Sequence, residues 1–299
     1  MSTKYQIIKK AFRIFHVNKI MQSEPEKMKK FFAKMNKGII IPDLHDDELD
    51  FSVNSYLGSP VLMVKHKKPC TRACVYLVGG GMMKYPKASQ AEQMVSYAKE
   101  TGRDMILPYF PLAYDHALPD VYDMLYEMYK DLLHTYAAED ITIFGGSSGA
   151  FHALTLVSFI NEKGEGIPVP GRICAISPGS AYSTQQEYEK AKELDEKDLI
   201  MSTKALEKVF EVMVQGKELP EYMIYMQRGN YKGLKDVFLC FGGDEVFCAC
   251  AEGIKNRLEE YGAHVTLEIG EGLYHVYPCF PIVKEAEEGN RKMMKYLSE

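Results

Sequence analysis

Apolar residues recur in two different rhythms along the chain, and the change between them falls near residue 50. Before it, Ile8, Ala11, Phe12 and Phe15, with Ile7, Ile14 and Met21 alongside, follow helical spacing among basic residues. Ser23 and Glu26 then form an S-x-x-E capping box ahead of a second apolar set, Phe31, Phe32 and Met35. Two amphipathic basic helices are therefore expected within residues 1–49.

Beyond residue 50, short apolar runs alternate with helical patterns, which is how a mostly parallel sheet covered on both faces looks in one dimension. Strands are predicted at Val61–His66, Ala73–Val78, Met105–Tyr109, Ile141–Phe144, Arg172–Ile176, Val237–Phe241 and Val265–Ile269. Helices are predicted at 88–101, 120–136, 149–160, 250–261 and 281–297. The alternation stops from Ser180 to Lys235, which carries helix-like but no strand-like pattern. An insertion this long in a compact domain usually acts as a lid or binding element. The fold class expected is α/β, with one domain over 50–299 preceded by the helical segment.

Charge sharpens the division. The 299 residues carry a net charge of −5, yet residues 1–37 hold ten Lys or Arg and two Glu, a local +8 against −13 for the remainder. A basic amphipathic face can meet a membrane or nucleic acid, but here its simplest partner is the acidic remainder of the same chain. No run approaches the ~18 apolar residues of a membrane span. The longest candidate, Ala73 to Met83, contains three glycines. No secretory signal is read at the N-terminus, because Arg13, His16 and Lys19 interrupt its apolar positions. Seven cysteines in no regular framework suit reduced thiols and a cytoplasmic location. Cys70 with Cys74 and Cys248 with Cys250 lack the spacing of zinc ligands, so no metal is expected.

The chemistry begins at Gly145-Gly146-Ser147-Ser148-Gly149, a G-x-S-x-G segment between a predicted strand and a helical pattern. Small residues at 145 and 149 let the chain turn sharply and thrust Ser147 up at the apex. The N–H of Ser148 then sits at the positive end of the next helix, placed to stabilise an oxyanion beside that hydroxyl. A phosphate-binding βα turn would read similarly, so the surroundings decide. Upstream, the strand through Val78 runs into Gly79-Gly80-Gly81, where only glycine exposes successive N–H groups without Cβ obstruction. This run looks like a loop completing an oxyanion hole.

A serine hydroxyl needs a base, and the base an orienting carboxylate. Asp244 stands just past the strand Val237–Phe241, with adjacent Glu245 as its rival. His275 lies in the loop after the last predicted strand and is the only histidine beyond that strand. His152, five positions after Ser147 on a helix, points away from the apex and is expected to be packed. His116 lies in a loop and could line the site. His16, His45, His66, His134 and His264 fall on polar or edge positions and are expected to be solvated.

Taken together, these segments resemble the hormone-sensitive-lipase-like branch of the α/β-hydrolases, which includes bacterial acetyl esterases and short-chain carboxylesterases. The likeness spans roughly residues 60–297: the glycine loop, Tyr109 to Ala113 through Leu118-Pro119, Gly145 to Gly149, Ser177-Pro178, Gly243-Asp244, and His275-Val276-Tyr277-Pro278. The resemblance implies an α/β-hydrolase fold with Ser147 as nucleophile, His275 as general base and acid, and Asp244 as its orienter. It implies an oxyanion hole from the N–H groups of Gly80, Gly81 and Ser148. The N-terminal helices and the insertion at about 180–235 are the candidate cap. Three departures bear on loop rigidity: Val78 stands where the family usually has His, Gly146 where it has an acid, and Tyr114-Asp115 where Pro-Glu is usual.

The function expected is hydrolysis of short-chain, acetyl-like esters through an acyl-serine intermediate, without cofactor or metal. Beyond a small ester, the one further partner considered is a second copy of the chain; neither nucleic acid nor a membrane is expected. The alternative is a non-catalytic receptor of the same fold, which binds a small molecule or a protein. Such proteins typically lose a triad residue, and this chain keeps a full set of candidates.

Overall fold

The computed structural model describes residues 20–299. The first predicted helix therefore lies almost wholly outside the described residues. Among these residues eight strands form one sheet: β1 (Leu49–Tyr56), β2 (Ser59–His66), β3 (Ala73–Leu77), β4 (Asp104–Pro108), β5 (Ile141–Gly146), β6 (Arg172–Ile176), β7 (Asp236–Gly242) and β8 (His264–Gly270). Their order is β1-β2-β4-β3-β5-β6-β7-β8. The first pairings, β1 with β2 and β2 with β4, are antiparallel; every later pairing is parallel.

Burial on both faces explains why the inner strands read as continuous apolar runs. Every residue of β3 and β5 is buried. The helices lie close to their predicted positions: α2 (Ala88–Thr101), α3 (Leu118–Leu132), α4 (Ser148–Lys163), α7 (Ala251–Glu260) and α8 (Lys284–Ser298). Parallel strands end at the same edge, so β3, β5, β6, β7 and β8 all deliver their C-terminal turns to one side. The register places Leu77 beside Gly145, Gly146 beside Ile176, and Gly242 beside Gly270.

Strand β1 is missing from the sequence reading. Its alternation Leu49, Phe51, Val53 was legible, but the turn that closes its hairpin is Leu57-Gly58 instead of the usual Asn-Gly or Asp-Gly. Leu57 nevertheless adopts φ 48° and Gly58 φ 83°, the left-handed pair that a two-residue hairpin requires.

The helix α1 (Pro25–Met35) follows the predicted second helix, but not its capping box. Its N-cap is Glu24, with no side-chain cap. The Ser23 hydroxyl instead donates to the Ile20 carbonyl at 2.6 Å, and Glu26 lies 3.5 Å from Lys29. Pro25 accounts for this, since proline in the first turn removes a donor that a cap would satisfy. Between β6 and β7 the insertion forms α5 (Gln185–Leu194) and α6 (Thr203–Val214), capped by the hydroxyls of Thr184 and Ser202. Helices α1 and α6 pack together, joined by Lys208 to Glu24 at 3.5 Å.

Candidate active site

Ser147 sits between β5 and α4 with φ 55° and ψ −124°, a strained conformation for a residue with a Cβ. Its N–H donates to the Ile176 carbonyl at 2.8 Å, which pins the turn to the neighbouring strand. The flanking glycines are required by contact. A Cβ on Gly149 would lie 1.8 Å from the Leu77 oxygen, and one on Gly145 would lie 2.4 Å from the Gly149 carbonyl carbon. The helix therefore starts hard against β3, with the serine side chain outward.

His275 Nε2 lies 2.8 Å from Ser147 Oγ. Its loop is held by Val276, at φ 53°, whose N–H donates to Ser177 Oγ at 2.9 Å. Ser177 also has positive φ, and its own N–H donates to the Cys240 carbonyl. The Phe247 ring stands 5.2 Å from the imidazole and, with the surrounding chain, leaves His275 only 5% exposed.

The carboxylate on Nδ1 is that of Glu245, not Asp244. The reason is local. After β7 the chain turns through Gly242 and Gly243, and the Glu245 N–H donates back to the Gly242 carbonyl at 3.2 Å. That turn returns residue 245, one position later than expected, to the strand end. There its Oε1 accepts the Gly242 N–H at 2.8 Å, leaving Oε2 for the imidazole. Asp244, half-buried, instead donates its main-chain N–H to the Leu273 carbonyl. With Nδ1–H given to Glu245, Nε2 is left as the acceptor for the Ser147 hydroxyl.

A second buried carboxylate near the imidazole carried no sequence signal. Asp198, in the segment joining α5 to α6, accepts the N–H groups of Ile200 and Met201 on Oδ1 at 2.8 and 2.9 Å, and that of Val246 on Oδ2 at 2.8 Å. It thereby ties the insertion to the residue that follows Glu245. Burial pushes its pKa up to about 6, against the lowering effect of His275 and of the three amides.

Burial by itself would depress His275, but the charge and hydrogen bond of Glu245, with Asp198 behind it, raise it above the ordinary 6.5. A base must be neutral, so a raised pKa means that activity is lost as pH falls through a midpoint above 6.5. Replacing Asp198 by Asn removes one negative charge acting on the imidazole, and the acid limb of kcat/KM should move to lower pH. A purely structural role would lower kcat and leave that midpoint in place; a pH–rate profile separates the two.

In the glycine loop, Gly80 has φ 143°, Gly81 φ 64° and Met82 φ 60°. The Met82 N–H donates to Ser148 Oγ at 3.3 Å, tying this loop to the serine turn. Among the described residues neither Gly80 nor Gly81 donates its N–H to the main chain, and Ser148 opens α4, where the first amides lack acceptors. All three, with Ser147 and His275, line a cavity of about 610 Å³. Helices α1 and α6 roof it with apolar side chains, among them Phe32, Leu206, Val209 and Phe210. Gly146, where an acid is usual, has Cys279 Sγ 3.5 Å from where its Cβ would be.

Among the described residues the other histidines divide between packing and pairing; His16 lies outside them. His152 is fully buried among Phe110, Tyr122 and Phe151, and burial pushes its pKa down to about 3. His116 is not among the cavity-lining residues and lies 3.8 Å from Asp120. His66 is not simply solvated, since it holds Asp104 at 3.0 Å and is 21% exposed, whereas His45, His134 and His264 are exposed as expected, each beside a carboxylate. Cys70 joins His66 and Asp104 within 4.8 Å, the grouping among the described residues with donors for a metal. Its atoms are already engaged, since Asp104 also accepts from the His66 main-chain N–H and the Tyr136 hydroxyl, and the Cys70 thiol donates to the main-chain carbonyls of Arg72 and Gly102. All seven cysteines are free thiols.

Comparison with known proteins agrees with this architecture. The α/β hydrolase fold family matches residues 74–279, and the chain belongs to it. Among solved structures, an esterase/lipase from an uncultured bacterium is similar at 20% identity and a TM-score of 0.79, over 99% of this chain and 98% of that one. EstE5, soaked with p-nitrophenyl butyrate, is 19% identical with a TM-score of 0.78, over 100% and 98% of the two chains. An esterase from the bacterial hormone-sensitive lipase family is 18% identical with a TM-score of 0.73, over 93% and 95%. No curated protein matches the chain in sequence.

Proposed function

We propose that the protein is a serine carboxylesterase acting on short-chain acyl esters. The observation that carries the reading is the 2.8 Å approach of His275 Nε2 to Ser147 Oγ, with the buried Glu245 carboxylate on the opposite ring nitrogen. Ser147 attacks the ester carbonyl as His275 takes its proton, and Glu245 stabilises the imidazolium and holds its tautomer. The N–H groups of Gly80, Gly81 and Ser148 receive the oxyanion. His275 then protonates the departing alcohol. Water, activated by the same imidazole, cleaves the acyl-serine ester and restores the hydroxyl.

These steps use no metal or organic cofactor. Helix α1 and the insertion at 180–235 serve as the cap over the acyl and alcohol arms, and Asp198 couples that cap to the Glu245 turn. No helix of the described residues is long and apolar enough to cross a membrane. A cytoplasmic site of action fits the seven free thiols.

The short-chain assignment rests on the roof that α1 and α6 place over the cavity, which limits how far an acyl chain can extend from Ser147. In a series of p-nitrophenyl esters, kcat/KM should peak between acetate and hexanoate and fall at least about tenfold by decanoate as the chain outgrows the pocket. A maximum at decanoate or beyond would remove the short-chain assignment.

A further inference from the structure

We infer that the preferred ester carries a carboxylate on one of its two arms, received by Lys84 and Lys87; this rests on the esterase reading above. The walls of the cavity differ in character. Beside the apolar roof, the lining includes Lys84, Tyr85, Lys87, Gln90 and Gln93, from the end of the glycine loop and the first turns of α2. No Asp or Glu lines the cavity. In a chain of net charge −5, the fixed charges that the described residues bring to this lining are therefore two ammonium groups.

Neither lysine has a carboxylate partner among the described residues, whereas Lys130, Lys208 and Lys292 each do. Residues 1–19 contain no Asp or Glu, so the remainder of the chain supplies none either. The carboxylate of Asp115 acts on Tyr85, but Asp115 is outside the lining and pairs with neither lysine.

Lys84 is also held in place. Its Cβ lies 3.1 Å from where a Cβ on Gly80 would be, so its stem packs on the glycine loop. Its Nζ stands 5.2 Å from the centre of the Phe32 ring on α1. Burial, with Lys87 close by, lowers its pKa below the usual lysine range. Two neighbouring cations without a counter-ion repel each other, and an anionic group entering between them relieves that repulsion.

The test compares matched esters with a common leaving group: mono-p-nitrophenyl adipate, which ends in a carboxylate, and its neutral methyl ester. A second pair, 4-acetoxybenzoate and its methyl ester, places the carboxylate on the alcohol arm, each rate being divided by that ester's hydroxide rate. At low salt the anionic member of at least one pair should show kcat/KM at least about tenfold higher, a preference that declines with ionic strength. In the Lys84→Met, Lys87→Met double variant the ratio should fall to about 1. Because each ratio is taken within one protein, a general loss of activity or folding cancels.

A wild-type ratio of 1 or below for both pairs overturns the proposal, as does a ratio that survives in the double variant. Equal hydrolysis of charged and neutral esters sinks the anion reading and leaves the esterase. If neither ester is cleaved, the esterase reading falls by itself. Calorimetric binding of monomethyl adipate against dimethyl adipate then decides the anion reading by the same criterion.

Discussion

Replacing Ser147 by Ala should lower kcat for p-nitrophenyl butyrate by about four to six orders of magnitude. The variant should unfold at the wild-type denaturant concentration or above it, because the strained φ of 55° is retained while only the hydroxyl is lost. A fluorophosphonate should label the wild type once, at Ser147, and leave the variant unlabelled. The size of the effect follows from covalent catalysis: without the nucleophile, the oxyanion donors and the cavity remain, but no acyl-enzyme can form. Activity within tenfold of wild type would place the nucleophile elsewhere and remove the proposed mechanism.

Glu245→Gln should cost about 10⁴ in kcat, whereas Asp244→Asn should cost less than tenfold. A glutamine can offer its N–H to His275 Nδ1, which favours the opposite tautomer and leaves Nε2 protonated and unable to accept from Ser147. The Gly242 N–H that Glu245 Oε1 now accepts keeps the side chain in position, so the loss should lie in kcat and not in folding. Paired pH–rate profiles and denaturation curves check both halves. If Asp244→Asn were the damaging change, the turn after β7 would have to rearrange in solution, and the assignment of Glu245 would be withdrawn.

The contrast between these neighbours shows where sequence reasoning stops. That a carboxylate follows β7 was legible, because the apolar run Val237–Phe241 ends in two glycines and two acids. Which acid faces the histidine depends on a turn closed by the Glu245 N–H on the Gly242 carbonyl, and both residues suit such a turn. Asp198 was less accessible still. It lies in a polar stretch of the insertion, and its closeness to the site exists only once that insertion folds back onto Val246.

Helix α1 makes the same point from the other direction: its apolar spacing located it, but the Ser23 hydroxyl turned to Ile20 instead of capping. Strand β1 was lost for want of a familiar turn, although Leu57 takes the conformation that such a turn demands.

Local patterns along the chain were enough to define the parallel sheet, the sharp serine turn and the glycine loop, because burial on two faces and close backbone approach constrain residue type directly. The pairing of His275 with Glu245, the roof formed by α1 and α6, and the meeting of Lys84 and Lys87 in the cavity that Ser147 lines arise from folding. Each depends on distances between segments far apart in sequence, and the identity of a residue does not encode the direction in which a turn will send it.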